Sequence, residues 1–244
     1  MHPILFQIGP LKVFSYGLML AVAVLVCSTL VAREARRRGL DPNVILDLMF
    51  WVVLGGIVGA RIFYIFLDWE HFAGDPLEVF KLHHGGLAFQ GGLLGGLLVG
   101  WFFLRCKKMP ALPVMDLLAP YIALGHAIGR IGCFFNGCCY GKPVAWGIYF
   151  PVHEARLHPT QLYESFGLLL LFLFLRNYAT RPHPAGDVFC TYLVLAALLR
   201  FANEFFRADH VEIFLGLSIF QLVSLGILAA GVYAKLYLQS RRRT

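Results

Sequence analysis

Apolar residues run along this chain in long blocks, and clusters of charge interrupt them. A helix needs about 20 apolar residues to cross a bilayer core, and seven blocks reach or approach that length. They cover about 11–32, 44–67, 85–104, 112–129, 161–175, 188–206 and 213–238. The first stops at Arg33-Glu34-Ala35-Arg36-Arg37-Arg38, the third before Arg105, Lys107 and Lys108, and the last before Arg241-Arg242-Arg243. The pattern predicts an all-α, polytopic integral membrane protein of about seven spans, with residues 1–244 forming a single membrane domain.

Composition agrees with the pattern. Of 244 residues, 59% are hydrophobic, 22 are Phe and only 14% are charged, against about 25% charged in soluble domains. Mean hydropathy is +0.69. This excludes a disordered chain, a fibrous repeat and an ordinary soluble enzyme. The net charge of +7 fits cytoplasmic loops better than a nucleic-acid partner, and none is expected.

The basic residues also assign the sides. With the N-terminus outside, 13 of the 21 Lys and Arg fall inside and six outside, while Arg61 and Arg200 lie within spans. The positive-inside rule then selects N-out and C-cytoplasmic. No basic segment precedes the first span and no clear small-residue cleavage site follows it, so it is expected to stay as a helix and not to be cleaved as a signal peptide.

Six cysteines occur, with no Cys-x-x-Cys pair, so the usual zinc and dithiol spacings are absent. Cys133, Cys138 and Cys139 cluster in one segment. Packing of small, soft residues is the plainest account. A disulfide, or a metal site completed by a nearby histidine, are the alternatives. The site reading assigns no metal.

Charge within a span is costly, about 2.5–3.5 kcal/mol for a mid-bilayer Arg on insertion scales. Arg200 and Glu204 are spaced i,i+4, and their pairing explains both. Arg61 suits a groove lined by carbonyls. Arg130 and Arg207, at the ends of their spans, have fewer carboxylate neighbours in sequence, and stand where a phospholipid headgroup would lie. Guanidinium binds phosphate bidentately and stays charged. Gly91/Gly95 and Gly92/Gly96 have the small-xxx-small spacing of closely packed helices. The same glycines beside Gln90 also suit a cradle of backbone amides.

Several segments resemble the prolipoprotein diacylglyceryl transferase family: Ile8-Gly9-Pro10 with Tyr16-Gly17-Leu18; Gly85-Gly86 through Gln90-Gly91-Gly92; Gly129-Arg130-Ile131-Gly132 with Asn136-Gly137 and Gly141; His158-Pro159-Thr160-Gln161-Leu162-Tyr163-Glu164; and Glu204-Phe205-Phe206-Arg207. Gly59-Ala60-Arg61 and Asp75-Pro76-Leu77 also fit. The resemblance spans nearly the whole chain in order. It implies an enzyme of the bacterial cytoplasmic (inner) membrane with its active site towards the outer face. That enzyme would move the diacylglyceryl group of phosphatidylglycerol onto the lipobox cysteine of prolipoproteins, forming a thioether and releasing glycerol phosphate. Partners would be phosphatidylglycerol, the signal peptides of prolipoproteins and membrane lipids. Arg130 corresponds to the family's headgroup-binding arginine, Arg207 to its second essential arginine and Tyr16 to its first-span tyrosine.

The catalytic set expected on this basis is Arg130, Arg207, Tyr16 and Gln90. The substrate-binding set is Arg130, Arg61, Gly91, Gly92, Asn136, Gly141, His158, Gln161, Glu164 and Glu204. Gln90, Cys133 and Cys138 depart from the family pattern, which often has His, Asn and Glu there. The arginines would stabilise charge on the leaving phosphate, and their field would lower the pKa of the attacking thiol. His126 and His158 are candidate bases. No cofactor is required, because the donor is already activated as a phosphodiester. The alternatives are a divergent non-catalytic or altered-substrate lipid-binding relative, and a lipid transporter.

Overall fold

Seven helices of 18 residues or more account for most of the chain in the computed structural model, which describes residues 3–8, 11–74, 79, 86–209, 212–214 and 216–241. They are α1 (Ser15–Arg37), α2 (Pro42–Leu67), α4 (Phe89–Cys106), α5 (Ala111–Asn136), α6 (Thr160–Tyr178), α7 (Asp187–Glu204) and α8 (Ile219–Ser240), with a short α3 (Trp69–Gly74) after α2. Gly9, Pro10, Asp75, Pro76, Leu77, Glu78, Lys81, Gly85, Arg242 and Arg243 lie outside the described residues.

Five of these helices, α1, α2, α4, α5 and α8, are long and apolar enough to cross a membrane. Large apolar side chains stand exposed along them, among them Leu25, Phe50, Phe66, Leu98, Phe102 and Tyr233. So much contiguous apolar surface is untenable in water and natural in lipid. The chain is a multi-pass membrane protein. α6 and α7 are of spanning length but carry polar side chains inward, including Gln161, Glu164, Asp187, Asn203 and Glu204, all buried.

Helix boundaries differ from the apolar blocks where turn chemistry intervenes. Leu11–Phe14, counted with the first span, is a strand, β2, paired antiparallel to β1 (Ile4–Ile8). The start of the last block is likewise a small hairpin, β5 (Glu212–Phe214) with β6 (Leu217–Ser218). Ser218 ends that strand and caps α8. Its hydroxyl accepts from the Gln221 amide, and the Gln221 side chain accepts from the Ser218 amide, a complete capping box. A third hairpin, β3 (Pro143–Phe150) with β4 (Ala155–Leu157), joins α5 to α6. α2 begins at Asp41, whose carboxylate accepts from the Asn43 amide, followed by Pro42 in the first turn.

The chain divides into two compact units, residues 32–111 and residues 1–31 with 112–244. In the first, α2 packs against α4 through glycine. A Cβ on Gly59 would run into the Gly91 carbonyl, and one on Gly91 into the Gly59 carbonyl; one on Gly95 would meet the Gly55 carbonyl, and one on Gly55 the Val99 side chain. Gly91 and Gly95 therefore serve close helix packing, the simpler of the two sequence readings. Arg61 is buried in this unit. Its Nε donates to the Val79 carbonyl (3.0 Å) and its Nη1 to the Gly86 carbonyl (3.1 Å), and its guanidinium lies over the Phe72 ring.

In the second unit α5 is the most buried of the five spanning helices. α6 packs on α7, and α7 on α8. One end is held by a buried polar network. The Asp116 carboxylate accepts from the Gly186 amide (2.6 Å) and the Phe189 amide (2.8 Å), capping α7 from α5. Lys235 of α8 pairs with Asp187 (3.4 Å) and donates to Thr191, and the Tyr178 hydroxyl donates to Asp187.

The glycine seam gives a direct test. Gly59→Val should destabilise the protein by at least the 1–3 kcal/mol or so typical of overpacking, because backbone on the opposite helix cannot yield. Gly226→Ala, with nothing within 4 Å of the new Cβ, should be neutral or stabilising. Thermal unfolding in detergent reads both.

Candidate active site

Three helix ends meet over one carboxylate. His126, Arg130 and Cys133 share a face of α5 through i,i+4 and i,i+3 spacing. Glu164 sits in the first turns of α6 and is 2% exposed. It accepts from Arg130 Nη2 at 2.9 Å, from Asn203 Nδ2 at 3.0 Å and from Arg200 Nη1 at 3.5 Å, and His126 Nε2 lies 3.6 Å away. Glu204, fully buried at the end of α7, pairs with Arg200 Nη2 (2.7 Å) and lies 3.7 Å from Arg207 Nε, while the Ser218 hydroxyl donates to it at 3.0 Å. Arg207 closes the chain of charges with a bidentate contact to Asp209, Nε to Oδ1 at 2.9 Å and Nη2 to Oδ2 at 2.7 Å. Three guanidiniums thus face three carboxylates, the pairing that offsets the cost of burying charge. Arg130 and Arg207 lie within electrostatic range of each other.

The balance is uneven. Arg130 Nε is buried with no hydrogen-bond partner among the described residues, as are the acceptors Gln161 Oε1 and Asn203 Oδ1. A buried donor left unmade costs about 1–3 kcal/mol, and such atoms call for an explanation. Burial alone would lower the Arg207 pKa. The Asp209 hydrogen bonds, with the charges of Cys139 and Glu204, outweigh it and hold the guanidinium above its ordinary value.

Beside the arginines the chain turns sharply after α5. Gly137 takes φ +76° and Cys139, an L residue, φ +63°, a conformation that persists only where its surroundings impose it. They do so here. The Thr160 hydroxyl donates to the Cys139 carbonyl (2.7 Å), Gln161 Nε2 to the Cys138 carbonyl (2.7 Å), and the Cys138 amide to the Cys133 carbonyl (3.2 Å). His153 Nε2 lies 3.3 Å from the Gly137 carbonyl. The Cys138 thiol donates to the Cys133 carbonyl (3.7 Å). All three thiols are free, half-buried and within 4.8 Å of one another. The adjacent Cys133 and Cys138 thiols, then the charges of Arg207 and Arg130, draw the Cys139 thiol below the usual range against the opposing effect of burial. Tyr16, half-exposed, lies in electrostatic range of the three thiols and Arg130. Gly132 admits it: a Cβ there would stand 3.3 Å from the Tyr16 ring.

Gly141 places Arg207. It forms a β-bridge with that residue, flanked by Lys142 N–H to the Phe206 carbonyl (2.8 Å) and Ala208 N–H to the Tyr140 carbonyl (3.3 Å). A Cβ on Gly141 would lie 2.6 Å from the Phe206 oxygen. His158 Nδ1 is 3.2 Å from the Tyr163 hydroxyl, and the ring packs edge-on to Trp146. With Leu199, Ala202, Asn203 and Phe206 these residues line a largely apolar cavity of about 490 Å³.

The second unit therefore collects Tyr16, Arg130, Asn136, Gly141, His158, Gln161, Glu164, Glu204 and Arg207 from the residues singled out in sequence. Arg61, Gln90, Gly91 and Gly92 belong to the other unit, where Gln90 is exposed. The Arg200–Glu204 pair forms as its spacing predicts. Arg130 and Arg207 are better paired than sequence proximity suggests, because Glu164 comes from another helix and Asp209 from beyond the end of α7. Sequence reasoning missed Asn203, Asp209, Ser218 and Thr160. Asp209, two residues after Arg207, was the one with a local signal; Ser218 is visible only as a helix cap.

Helices apolar enough to span a bilayer and a buried arginine–carboxylate network with a thiol cluster define a membrane protein with a polar interior site. A family model for prolipoprotein diacylglyceryl transferases matches residues 3–237, and the chain belongs to that family. It is 39% identical over 259 residues to the phosphatidylglycerol–prolipoprotein diacylglyceryl transferase of Synechococcus elongatus, covering 99% of this chain and 89% of that protein. The proteins of the same description from a Nostoc species and Clostridium tetani are 37% and 32% identical, covering 99% and 96% of this chain and 90% and 96% of theirs.

The network predicts graded costs. Glu164→Ala strands Arg130 and leaves Arg200 with Glu204 alone, and should destabilise the protein by about 3–5 kcal/mol. Ser218→Ala, which removes a cap and one donor to Glu204, should cost about 1–2 kcal/mol. Chemical or thermal unfolding in micelles should rank them in that order.

Proposed function

We propose that this protein transfers the diacylglyceryl group of phosphatidylglycerol to the lipobox cysteine of prolipoproteins, as its relatives' names describe, forming a thioether and releasing glycerol phosphate. It works as a seven-span protein of the bacterial cytoplasmic membrane, N-terminus outside and C-terminus inside, with its site towards the outer face. The 13-to-six distribution of basic residues supports that orientation.

The observation that carries the reading is the buried, unpartnered Nε donor of Arg130 within electrostatic range of Arg207. A phosphodiester oxygen supplies the missing acceptor. Arg130 keeps Glu164 on Nη2 and offers its free donor edge to the phosphate. Arg207 is held by Asp209, and Asp209 is the most exposed of the three carboxylates, at 26% against 2% and 0%. It is the partner a phosphate displaces most cheaply, since it occupies the same bidentate face that a phosphate takes. Glu164 and Glu204 stay in place and fix the guanidiniums.

In the reaction the acceptor sulfur attacks the glyceryl carbon that bears the phosphate ester. The C–O bond breaks and its electron pair leaves with the phosphate oxygen. Charge grows on that oxygen in the transition state, and preorganised guanidiniums aimed there lower the barrier. Tyr16 and Gln161 flank the thiol loop and orient the ester. Gly141 acts through the backbone of Arg207, and His158 through the aromatic cavity beside it.

Complementation of a strain lacking the transferase, read by lipid attachment to a model prolipoprotein, tests the proposal. Arg130→Ala and Arg207→Ala should each lower the rate by about 10²–10³ or more in protein that still inserts. Full activity in either variant removes that residue from the site.

A further inference from the structure

The three thiols at the end of α5 are more than the transferase reading uses. We propose that Cys133, Cys138 and Cys139 bind one zinc ion as a three-thiolate site whose fourth position receives the acceptor thiol. The three-thiolate site stands on its own geometry; the choice of zinc and the ligand in its fourth position rest on the transferase reading.

Geometry comes first. The three Sγ atoms lie within 4.8 Å of one another. Tetrahedral zinc with Zn–S bonds of about 2.3 Å sets its sulfurs about 3.8 Å apart, so the thiols need draw together by no more than about 1 Å. None of the three is joined in a disulfide, all are half-buried, and the loop that carries two of them is already set. Thr160 and Gln161 hold the carbonyls of Cys139 and Cys138, both at 2.7 Å, and His153 stands against Gly137. Such outer contacts orient metal ligands.

Ligand count then decides the kind of site. Among the described residues the cluster offers three ligands and no fourth His, Cys, Asp or Glu. Structural zinc is closed by four protein ligands, whereas three leave a position for substrate. Thiolate donors select zinc or copper(I) over harder ions. Three thiolates alone suit trigonal copper(I) as well as zinc; zinc is chosen because its fourth position can receive the acceptor thiol, which trigonal copper(I) does not offer. The surrounding charge agrees. Three thiolates on one divalent ion carry a net charge of about −1, and the Arg130 and Arg207 charges bear on this cluster.

The step balances. An acceptor thiol binding at the open position releases its proton to water and becomes a zinc thiolate. Its sulfur forms the bond to the glyceryl carbon as the C–O bond to phosphate breaks, and the electron pair departs with glycerol phosphate. The product thioether is neutral and a weak ligand, so it leaves the ion, whose oxidation state is unchanged. This departs from the metal-free site expected from sequence, and gives Cys133 and Cys138 a joint task in place of the family's usual residues there.

The test uses the full-length protein purified in detergent under anaerobic conditions. Elemental analysis should find about one zinc per chain, retained in Cys106→Ser and lost in Cys133→Ser, Cys138→Ser and Cys139→Ser. Wild-type protein stripped by chelator and given cobalt(II) should develop thiolate-to-cobalt charge-transfer absorption. Its visible ligand-field bands should shift on adding a lipobox peptide, and not on adding the same peptide with Ser for Cys. Stripping should lower transfer at least 100-fold, with recovery on adding zinc. Wild-type protein without zinc that gives no cobalt band overturns the proposal. So do copper in its place, a disulfide among the three cysteines, and cobalt bands indifferent to the cysteine peptide. Full transfer by the stripped protein overturns it too and leaves the transferase reading standing. Zinc-replete protein with the peptide-dependent cobalt shift but no transfer would sink the transferase reading and not the metal site.

Discussion

Glu164 is the point on which the site depends. A carboxylate with 2% exposure in an apolar helix bundle is tolerable only with charge and hydrogen bonds around it. It recruits them from two other helices: Arg130 from α5, and Arg200 and Asn203 from α7. Because Arg200 also pairs with Glu204, and Glu204 faces Arg207, the positions of the guanidiniums are set jointly. Three helices cannot shift independently without exposing an unpaired ion to an apolar interior. The arrangement of guanidiniums proposed to hold a phosphate is thus part of what holds α5, α6 and α7 together.

Much of the helical architecture was legible because the signal was strong. Blocks of apolar residues as long as a bilayer is thick admit few structures other than helices. The failures were local. Leu11–Phe14 and Glu212–Phe214 are apolar enough to extend a neighbouring block, yet they form strands. Hydropathy cannot separate strand from helix over so few residues. The β3–β4 hairpin escaped notice for another reason. Its burial along β3 does not alternate, so it lacks the period-two pattern that marks a half-buried strand.

At the site, the divide is between local and distant partners. Arg200 and Glu204, one helical turn apart, were paired from sequence and are paired in the structure. Arg130 and Glu164 are 34 positions apart, and no spacing rule joins them. The thiols illustrate the same limit. Cys133 and the Cys138-Cys139 pair were seen as neighbours in sequence. Their convergence depends on the turn at Gly137 and on contacts from Thr160 and Gln161, which lie on the next helix. Gln90, another departure from the family pattern, belongs to the other unit and is solvent- or lipid-facing.

The bridge between Gly141 and Arg207 couples more than two residues. On one side the strand through Gly141 continues into the β3–β4 hairpin; on the other, Arg207 carries its guanidinium. Lys142 and Ala208 lock the two backbones on either side of the bridge, leaving little slack. A macromolecular substrate that leans on the hairpin would tug the arginine with it. In that sense the hairpin is a lever arm: the arrival of a bulky guest can be transmitted to the guanidinium of Arg207 through peptide hydrogen bonds alone, without any helix having to move.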